Sequence, residues 1–332
     1  MKPVPAPPAV RFEFDPLPAH PHLSISVLFY FKEELIAPFL EAILPQARFL
    51  VEQKTATCVL NLVLNYPAPA ATRTSMESLT ATVAGVDDLT VRIVENGCNE
   101  GFGAAHNAVF EREPSDLFLL INSDVSIGAR DWLVRLVEKF RASDVALVGL
   151  RGTASRLRED GCGIPLAPGE THFDFVDGSA MALRSDVVRR CGLFDPTFTA
   201  FYFEDADLCL RLQQCGLPME LLDVPYEHNR SASTQQLPRG VIERILDHNR
   251  ARFFERWEPF LQRRQLPGRL AVEFTTPDRA VQAAALPAIF GLLASHPGAT
   301  IEVAGLHPQV RPLYEHPQIH PVPVWEKMRP SD

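Results

Sequence analysis

The chain has 332 residues, of which 46% are hydrophobic and 22% charged, enough to fill one large α/β domain or a domain with an appendage. A net charge of −9 excludes a broad nucleic-acid-binding surface, so nucleic acid is not an expected partner. Six cysteines with no Cys-x-x-Cys pair fit free thiols in the cytoplasm better than a zinc site, and no apolar stretch is long enough to span a bilayer, so peripheral contact with a membrane is the most expected.

Residues 1–21 are proline-rich, lack the basic-then-apolar order of a signal peptide, and read as a disordered or loosely attached leader. The run LSISVLFY at 23–30 predicts a buried strand, followed by a helix over 33–44 that Pro45 ends. Further strands are expected at 57–64, 89–94, 117–121 and 146–150, with helices over 103–113 and 131–141 between them. Apolar strands alternating with helices argue for a largely parallel sheet covered on both faces. Ligands of such sheets bind beyond the carboxyl ends of the strands. The places to search are therefore just after Val94, where Glu95 stands, after Ile121 and after Val224.

Residues 238–264 predict a long helix with Val241, Ile242, Ile245, Leu246, Phe253, Trp257 and Phe260 near helical spacing. After Pro267-Gly268 the segments RLAVEFTTP, 279–295 and TIEVAG read as strand, helix and strand. The expected division is thus a domain over 22–264 and a βαβ-like segment over 265–332, either an appendage or the start of a further α/β domain in a longer parent. Its apolar residues Val272, Phe274, Leu286, Ile289, Phe290 and Leu293 need cover, expected from the 238–264 helix or a neighbouring chain.

Four clusters can carry chemistry. Asn122-Ser123-Asp124 follows an apolar strand, where a carboxylate can share a divalent ion with phosphate oxygens, although the same tripeptide also makes an ordinary turn. Glu204, Asp205 and Asp207 open a helix after the aromatic segment FDPTFTAFYF. A capped helix with an Asp207–Arg211 pair explains part of this, and an aromatic wall that raises a carboxylate toward a general base explains the rest. His228 ends a strand, as a metal ligand or as a structural imidazole. The segment NEGFGAAHN at 99–107 places two glycines at a helix start, where backbone can approach a ligand closely.

In this order the pieces resemble the inverting family 2 glycosyltransferases of the GT-A fold, and the rhamnosyltransferase-like members in particular. The resemblance rests on 99–107, Asn122–Asp124, the GSAMALR run from Gly178, Gly192-Leu193-Phe194-Asp195, the EDADLCLR block from Glu204 to Arg211, and His228. It implies a Rossmann-like mixed sheet with helices on both faces, and transfer of a sugar, rhamnose among the candidates, from a dTDP- or UDP-linked donor. The acceptor implied is a glycan or lipid-linked glycan of polysaccharide or O-antigen biosynthesis.

By resemblance Asp124 and His228 hold a divalent cation, Mg²⁺ or Mn²⁺, and Asp205 is the general base. Glu204, Asp207 and Arg211 shape the acceptor pocket. Asp177, Gly178 and Asn122 lie by the donor sugar and phosphates, and Gly101 and Asn107 lie on the nucleotide side. The chain departs from the family at Phe29-Tyr30-Phe31-Lys32, where Thr-Tyr-Asn is usual, at Asn65, which stands where an acid reads the base, and at Asn122, which stands for the first Asp of Asp-x-Asp. These departures keep open a second reading, a non-catalytic GT-A domain serving as a scaffold in polysaccharide assembly. A nucleotidyltransferase fits less well, because 29–34 is not a glycine-rich basic loop. Every motif precedes Pro267, so residues 269–332 are expected to be dispensable for donor binding.

Overall fold

The computed structural model describes residues 13–158, 161–167, 169–228, 237–264, 269–274, 278–295, 300–304 and 319–322. Two compact units divide the chain, Met1–Phe254 and Glu255–Asp332.

In the first unit the apolar runs become strands β1 (His22–Phe29), β2 (Thr57–Leu64), β3 (Leu89–Glu95) and β4 (Leu117–Asn122). After them come β5 (Val125–Ile127), β6 (Leu147–Leu150), β7 (Ala154–Leu157), β8 (Gly163–Pro165), β9 (Phe175–Val176), β10 (Ala180–Arg184), β11 (Met219–Leu222) and β12 (Tyr226–His228). The helices are α1 (Ile36–Glu52), α2 (Ala70–Thr80), α3 (Phe102–Arg112), α4 (Trp132–Ala142), α5 (Ser185–Cys191), α6 (Glu204–Gln214) and α7 (Arg239–Arg264), the last running across the division between units.

Seven strands form the main sheet in the order β11-β6-β10-β4-β1-β2-β3. Every pairing is parallel except those of β10, which lies antiparallel between β4 and β6. The sheet is therefore mixed, and six of its strands end on one edge, where the reversed β10 begins. Its interior strands are buried on both faces: Leu23, Ile25, Leu60, Leu117 and Leu119 on one, and Ser24, Ser26, Phe118 and Leu120 on the other, are all essentially inaccessible.

Pro45 does not end the first helix. Glu33–Leu35 forms a single 3₁₀ turn, and α1 then runs through Pro45 to Glu52. A proline inside a helix costs about 3 kcal/mol. Beyond it Ala47, Leu50 and Val51 are buried, and burying Leu and Val returns about 1.5–3 kcal/mol each. Pro45 itself faces solvent, so the carbonyl it leaves without a donor can bond water. The leader also differs from expectation in part. Residues 1–12 lie outside the described residues, but the Asp15 amide donates to Asp186 (2.9 Å) and its carboxylate pairs with Arg190 (3.2 Å).

The second unit holds β13 (Arg269–Glu273), α8 (Arg279–Ala284), α9 (Leu286–Ser295), β14 (Thr300–Ala304) and β15 (Ile319–Val322). Its strands form a three-stranded parallel sheet in the order β13-β14-β15, one strand more than expected. Asp278 caps α8 by accepting from the amide of Ala280 at 2.7 Å. Ile289, Ile301 and Val303 form a small core with Val272, Phe274, Leu286 and Phe290 packed on it. These apolar residues thus cover one another within the unit; the Leu293 side chain lies outside the described residues.

Candidate active site

The polarity of the main sheet brings distant sequence positions to one edge. Asn65 follows β2, the loop with Asn99 and Gly101 follows β3, and Asn122-Ser123-Asp124 closes β4. Because β10 is reversed, Asp177, Gly178 and Ser179 enter it from that same edge, and the Asn122 amide bonds the Ser179 carbonyl at 2.8 Å. These residues line a cleft of about 440 Å³, together with Tyr30, Phe201, Tyr202, Glu204, Asp205 and His228.

One side of the cleft rests on the β5–β12 ribbon, whose antiparallel register sets His228 opposite Val125 and so next to Asp124. Gln46 of α1 braces the ribbon by donating to the Ile127 carbonyl (2.8 Å) and accepting from the Trp132 indole (2.7 Å). Nε2 of His228 lies 3.2 Å from Oδ1 of Asp124. Despite that separation, neither imidazole nitrogen finds an aligned hydrogen-bond partner among the described residues, although both are buried. A buried polar atom without a partner costs about 1–3 kcal/mol, which a ligand can recover. An imidazole with unspent lone-pair capacity beside a carboxylate is a donor pair suited to a divalent cation. No third protein ligand joins them among the described residues, so phosphate oxygens and water would have to complete such a site.

The opposite side carries carboxylates at the start of α6. Asp205 accepts from the amides of Gly178 (3.0 Å) and Ala206 (2.7 Å). Burial, helped by the neighbouring Asp177, raises its carboxyl to about 6. Glu204 is buried further, with no partner for Oε2 among the described residues, and burial together with Asp205 pushes it up to about 8. Of the two carboxyls Glu204 is raised further, so a proton held by the pair favours Glu204 over Asp205. Gly178 has no room for a side chain, since a Cβ would lie 2.9 Å from the Phe102 ring. Asp177 binds the Ser179 amide at 3.0 Å and the Ser179 hydroxyl, which also meets the Tyr226 hydroxyl at 2.6 Å.

Asn65 lines the cleft, but its amide is fully engaged. Nδ2 donates to Asn99 Oδ1 (3.2 Å) and the Gly101 carbonyl (3.3 Å), and Oδ1 accepts from Asn96 (2.9 Å) and the Glu100 amide (3.2 Å). Two donor and two acceptor positions exhaust an asparagine. Asn65 therefore shapes the loop after β3 and has no side-chain hydrogen bond to spare for a base.

Four other candidates are absent from the cleft lining. Glu95 pairs with Arg73 on the surface. Asn107 uses both ends of its amide on the backbone of Phe194 (2.8 and 3.0 Å). Asp207 is fully buried against Arg211 (2.8 Å), as the capped-helix reading has it, and Arg211 also bonds the carbonyls of Cys191 (2.6 Å) and Gly192 (3.0 Å) at the end of α5. Tyr30, Asn99, Ser179 and Tyr202, which belong to the segments named above but were not themselves expected as site residues, line the cleft instead.

No family model matches the sequence, and no curated protein does. Among solved structures the chain is similar to GalNAc-T7, solved with UDP, GalNAc and Mn²⁺, at 13% identity and TM-score 0.53, over 85% of this chain and 60% of that one. It is also similar to the mannosyltransferase PcManGT of Pyrobaculum calidifontis, solved with GDP-Man and Mn²⁺, at 15% identity and TM-score 0.47, over 87% of this chain and 86% of that one. A third is the catalytic domain of Drosophila β1,4-galactosyltransferase 7, solved with xylobiose, at 12% identity and TM-score 0.41, over 66% and 75%. The fold of the chain is thus the GT-A fold of the glycosyltransferases.

Proposed function

We propose that the chain is a metal-assisted inverting glycosyltransferase, moving a sugar from a nucleoside-diphosphate donor to an acceptor hydroxyl. The observation that carries the reading is the pairing, across one cleft, of a histidine–aspartate couple with unspent metal-ligating atoms and a carboxylate tuned near neutrality. Asp124 and His228 would hold the ion, which when bound neutralises charge on the departing diphosphate. Asp205 accepts the proton of the acceptor hydroxyl as that oxygen bonds to the anomeric carbon. The bond from that carbon to the diphosphate breaks in the same displacement, its electron pair leaving with the diphosphate, and the anomeric configuration inverts. Such general-base help is typically worth about 10²–10⁴-fold. Glu204, neutral at the same pH, offers the acceptor or the sugar a hydroxyl donor and a carbonyl.

The ordered motifs support a narrower placement, with the rhamnosyltransferase-like family 2 enzymes, a dTDP- or UDP-linked donor and a glycan or lipid-linked acceptor. The setting that goes with it is the cytoplasmic side of a membrane; among the described residues no helix is long and apolar enough to cross one. The saturated Asn65 favours a second reading, a GT-A scaffold that has lost donor selection. Incubating the chain with a panel of nucleotide sugars and Mn²⁺, and following nucleoside-diphosphate release with the anomeric configuration of the product, decides between them. Donor binding without turnover on any acceptor would leave the scaffold.

A further inference from the structure

The wall of the cleft that leads into Glu204 and Asp205 has a costly backbone. Ala200 (φ 59°), Tyr202 (φ 75°) and Phe203 (φ 76°) all lie in the left-handed region, which a Cβ disfavours. Phe203 is also the residue from which α6 starts, so this turn determines where the first carboxylates of the helix point.

One buried side chain bonds the turn at several points. Asn249 of α7 is fully buried. Its Nδ2 donates to the carbonyls of Thr199 (2.9 Å), Phe201 (2.9 Å) and Tyr202 (3.1 Å). Its Oδ1 accepts from the amide (2.9 Å) and hydroxyl (3.3 Å) of Thr199. One helical turn further on, Phe253 packs against the Phe203 ring at 5.2 Å.

The turn also reaches the donor side. The Ala200 carbonyl accepts from the Phe102 amide at 2.8 Å, and Gly101 is so close that a Cβ there would lie 3.3 Å from the Ala200 Cα. The Phe102 ring presses on Gly178, whose amide bonds Asp205.

We propose that Asn249 is a positioning residue: by clamping the left-handed turn at 200–203 it fixes Asp205 against Gly178, and with it the wall shared by the two substrates. The proposal rests on the transferase reading above for its catalytic consequence and on the clamp itself for its structural one. The Asp124–His228 couple sits on the separate β5–β12 ribbon, so metal and diphosphate binding should not depend on the clamp.

The test uses the full chain carrying Asn249→Ala, Asn249→Asp, and Asn249→Ala with Ala200→Gly. Asn249→Asp keeps the acceptor for Thr199 but sets a carboxylate oxygen against three carbonyls. Glycine at 200 takes φ near 59° without a Cβ penalty. Amide hydrogen exchange over 199–207 should rise about tenfold or more in both single variants. The kcat for transfer should fall about tenfold or more, while the Kd for Mn²⁺ with nucleoside diphosphate moves less than about threefold. Adding Ala200→Gly should restore about threefold in kcat.

Unchanged exchange overturns the clamp, and raised exchange with unchanged kcat overturns the positioning role. A loss of kcat and of diphosphate affinity in equal measure, without rescue by glycine, would mark general destabilisation and overturns it as well. Should Asn249→Ala not fold, Asn249→Ser is read in its place. If the unmodified chain transfers no sugar from any donor, the transferase reading falls, and the exchange comparison alone decides whether Asn249 holds the turn.

Discussion

The two sides of the cleft solve opposite problems. On the ribbon side, Asp124 and His228 face each other in a buried setting, and neither imidazole nitrogen has an aligned hydrogen bond among the described residues. On the helix side, Asp205 is met by two backbone amides, and the turn before it is tied down by Asn249. Unspent capacity suits a ligand that arrives from outside and departs after each cycle. A group that must sit at a fixed place and change protonation state needs its geometry built by the chain. Variants on the ribbon side should therefore lower ligand affinity without lowering stability, and variants on the helix side should lower rate and stability together.

The largest effect is expected at Asp205. Asp205→Asn removes the proton acceptor and should lower kcat by about 10²–10⁴-fold. It also turns one of two accepting oxygens into a donor that faces a backbone amide, at a cost of about 1–3 kcal/mol. Diphosphate titration with Mn²⁺ should be nearly unchanged. A variant that keeps more than about a tenth of the wild-type rate would remove Asp205 from the role of base.

On the ribbon side, Asp124→Ala and His228→Ala should each weaken Mn²⁺ and nucleoside-diphosphate binding together, by about tenfold or more. The ligand-free melting temperature of His228→Ala should hold or rise, because the deleted imidazole makes no aligned hydrogen bond among the described residues. Calorimetric titration and a melt without metal check both halves. Equal loss of stability and affinity would erase the contrast between the two sides.

A milder effect is expected from pH. With Asp205 raised to about 6, kcat/KM should fall as pH drops below that value, since protonation removes the base. Burial is the main cause and Asp177 the second, so Asp177→Asn should move this acid limb to lower pH. A limb that stays in place would mean another group titrates there.

How much of this was legible beforehand depended on whether the signal was local. Strands β1, β2 and β4 could be read because buried parallel strands are predominantly apolar, even with Ser24, Ser26 and Asn61 among them, and the order of the loop motifs pointed to one sheet edge. Helix α2 could not, since only Thr72 and Met76 are buried on it. The reversal of β10 was also hidden, because a short apolar run reads alike in either direction. Motifs identify residues without saying where side chains point: Asn107 turns to Phe194 rather than to the cleft. Asn249 is the subtlest case. It stands in the stripe Ile242, Leu246, Asn249, Phe253, Trp257, where a polar residue looks like an interruption; its five contacts belong to a turn some fifty residues upstream.

The smallest and most diagnostic effect is expected at Glu204, where stability rather than rate is read. Its carboxyl rises from an ordinary 4.5 to about 8 in the folded chain, chiefly through burial. Below pH 4.5 the folded and unfolded chains both hold the proton, and the group contributes nothing to the pH dependence. Between 4.5 and 8 the unfolded chain releases the proton while the folded chain keeps it, so stability drains away as pH rises, and above 8 the full penalty remains. Asp205 adds a similar loss between 3.8 and about 6. Glu204→Gln presents an amide where the neutral acid has its hydroxyl, and it has no charge to bury. The variant should match the parent near pH 5 and exceed it at pH 8, with the gap in denaturant midpoint opening across that window. Transfer should survive within about tenfold, because a neutral hydrogen-bonding group remains in place. If Glu204 were instead ionised and satisfied in the folded chain, the variant would be the less stable of the two at pH 8. The two carboxylates would then no longer divide into one that holds its proton and one that takes it.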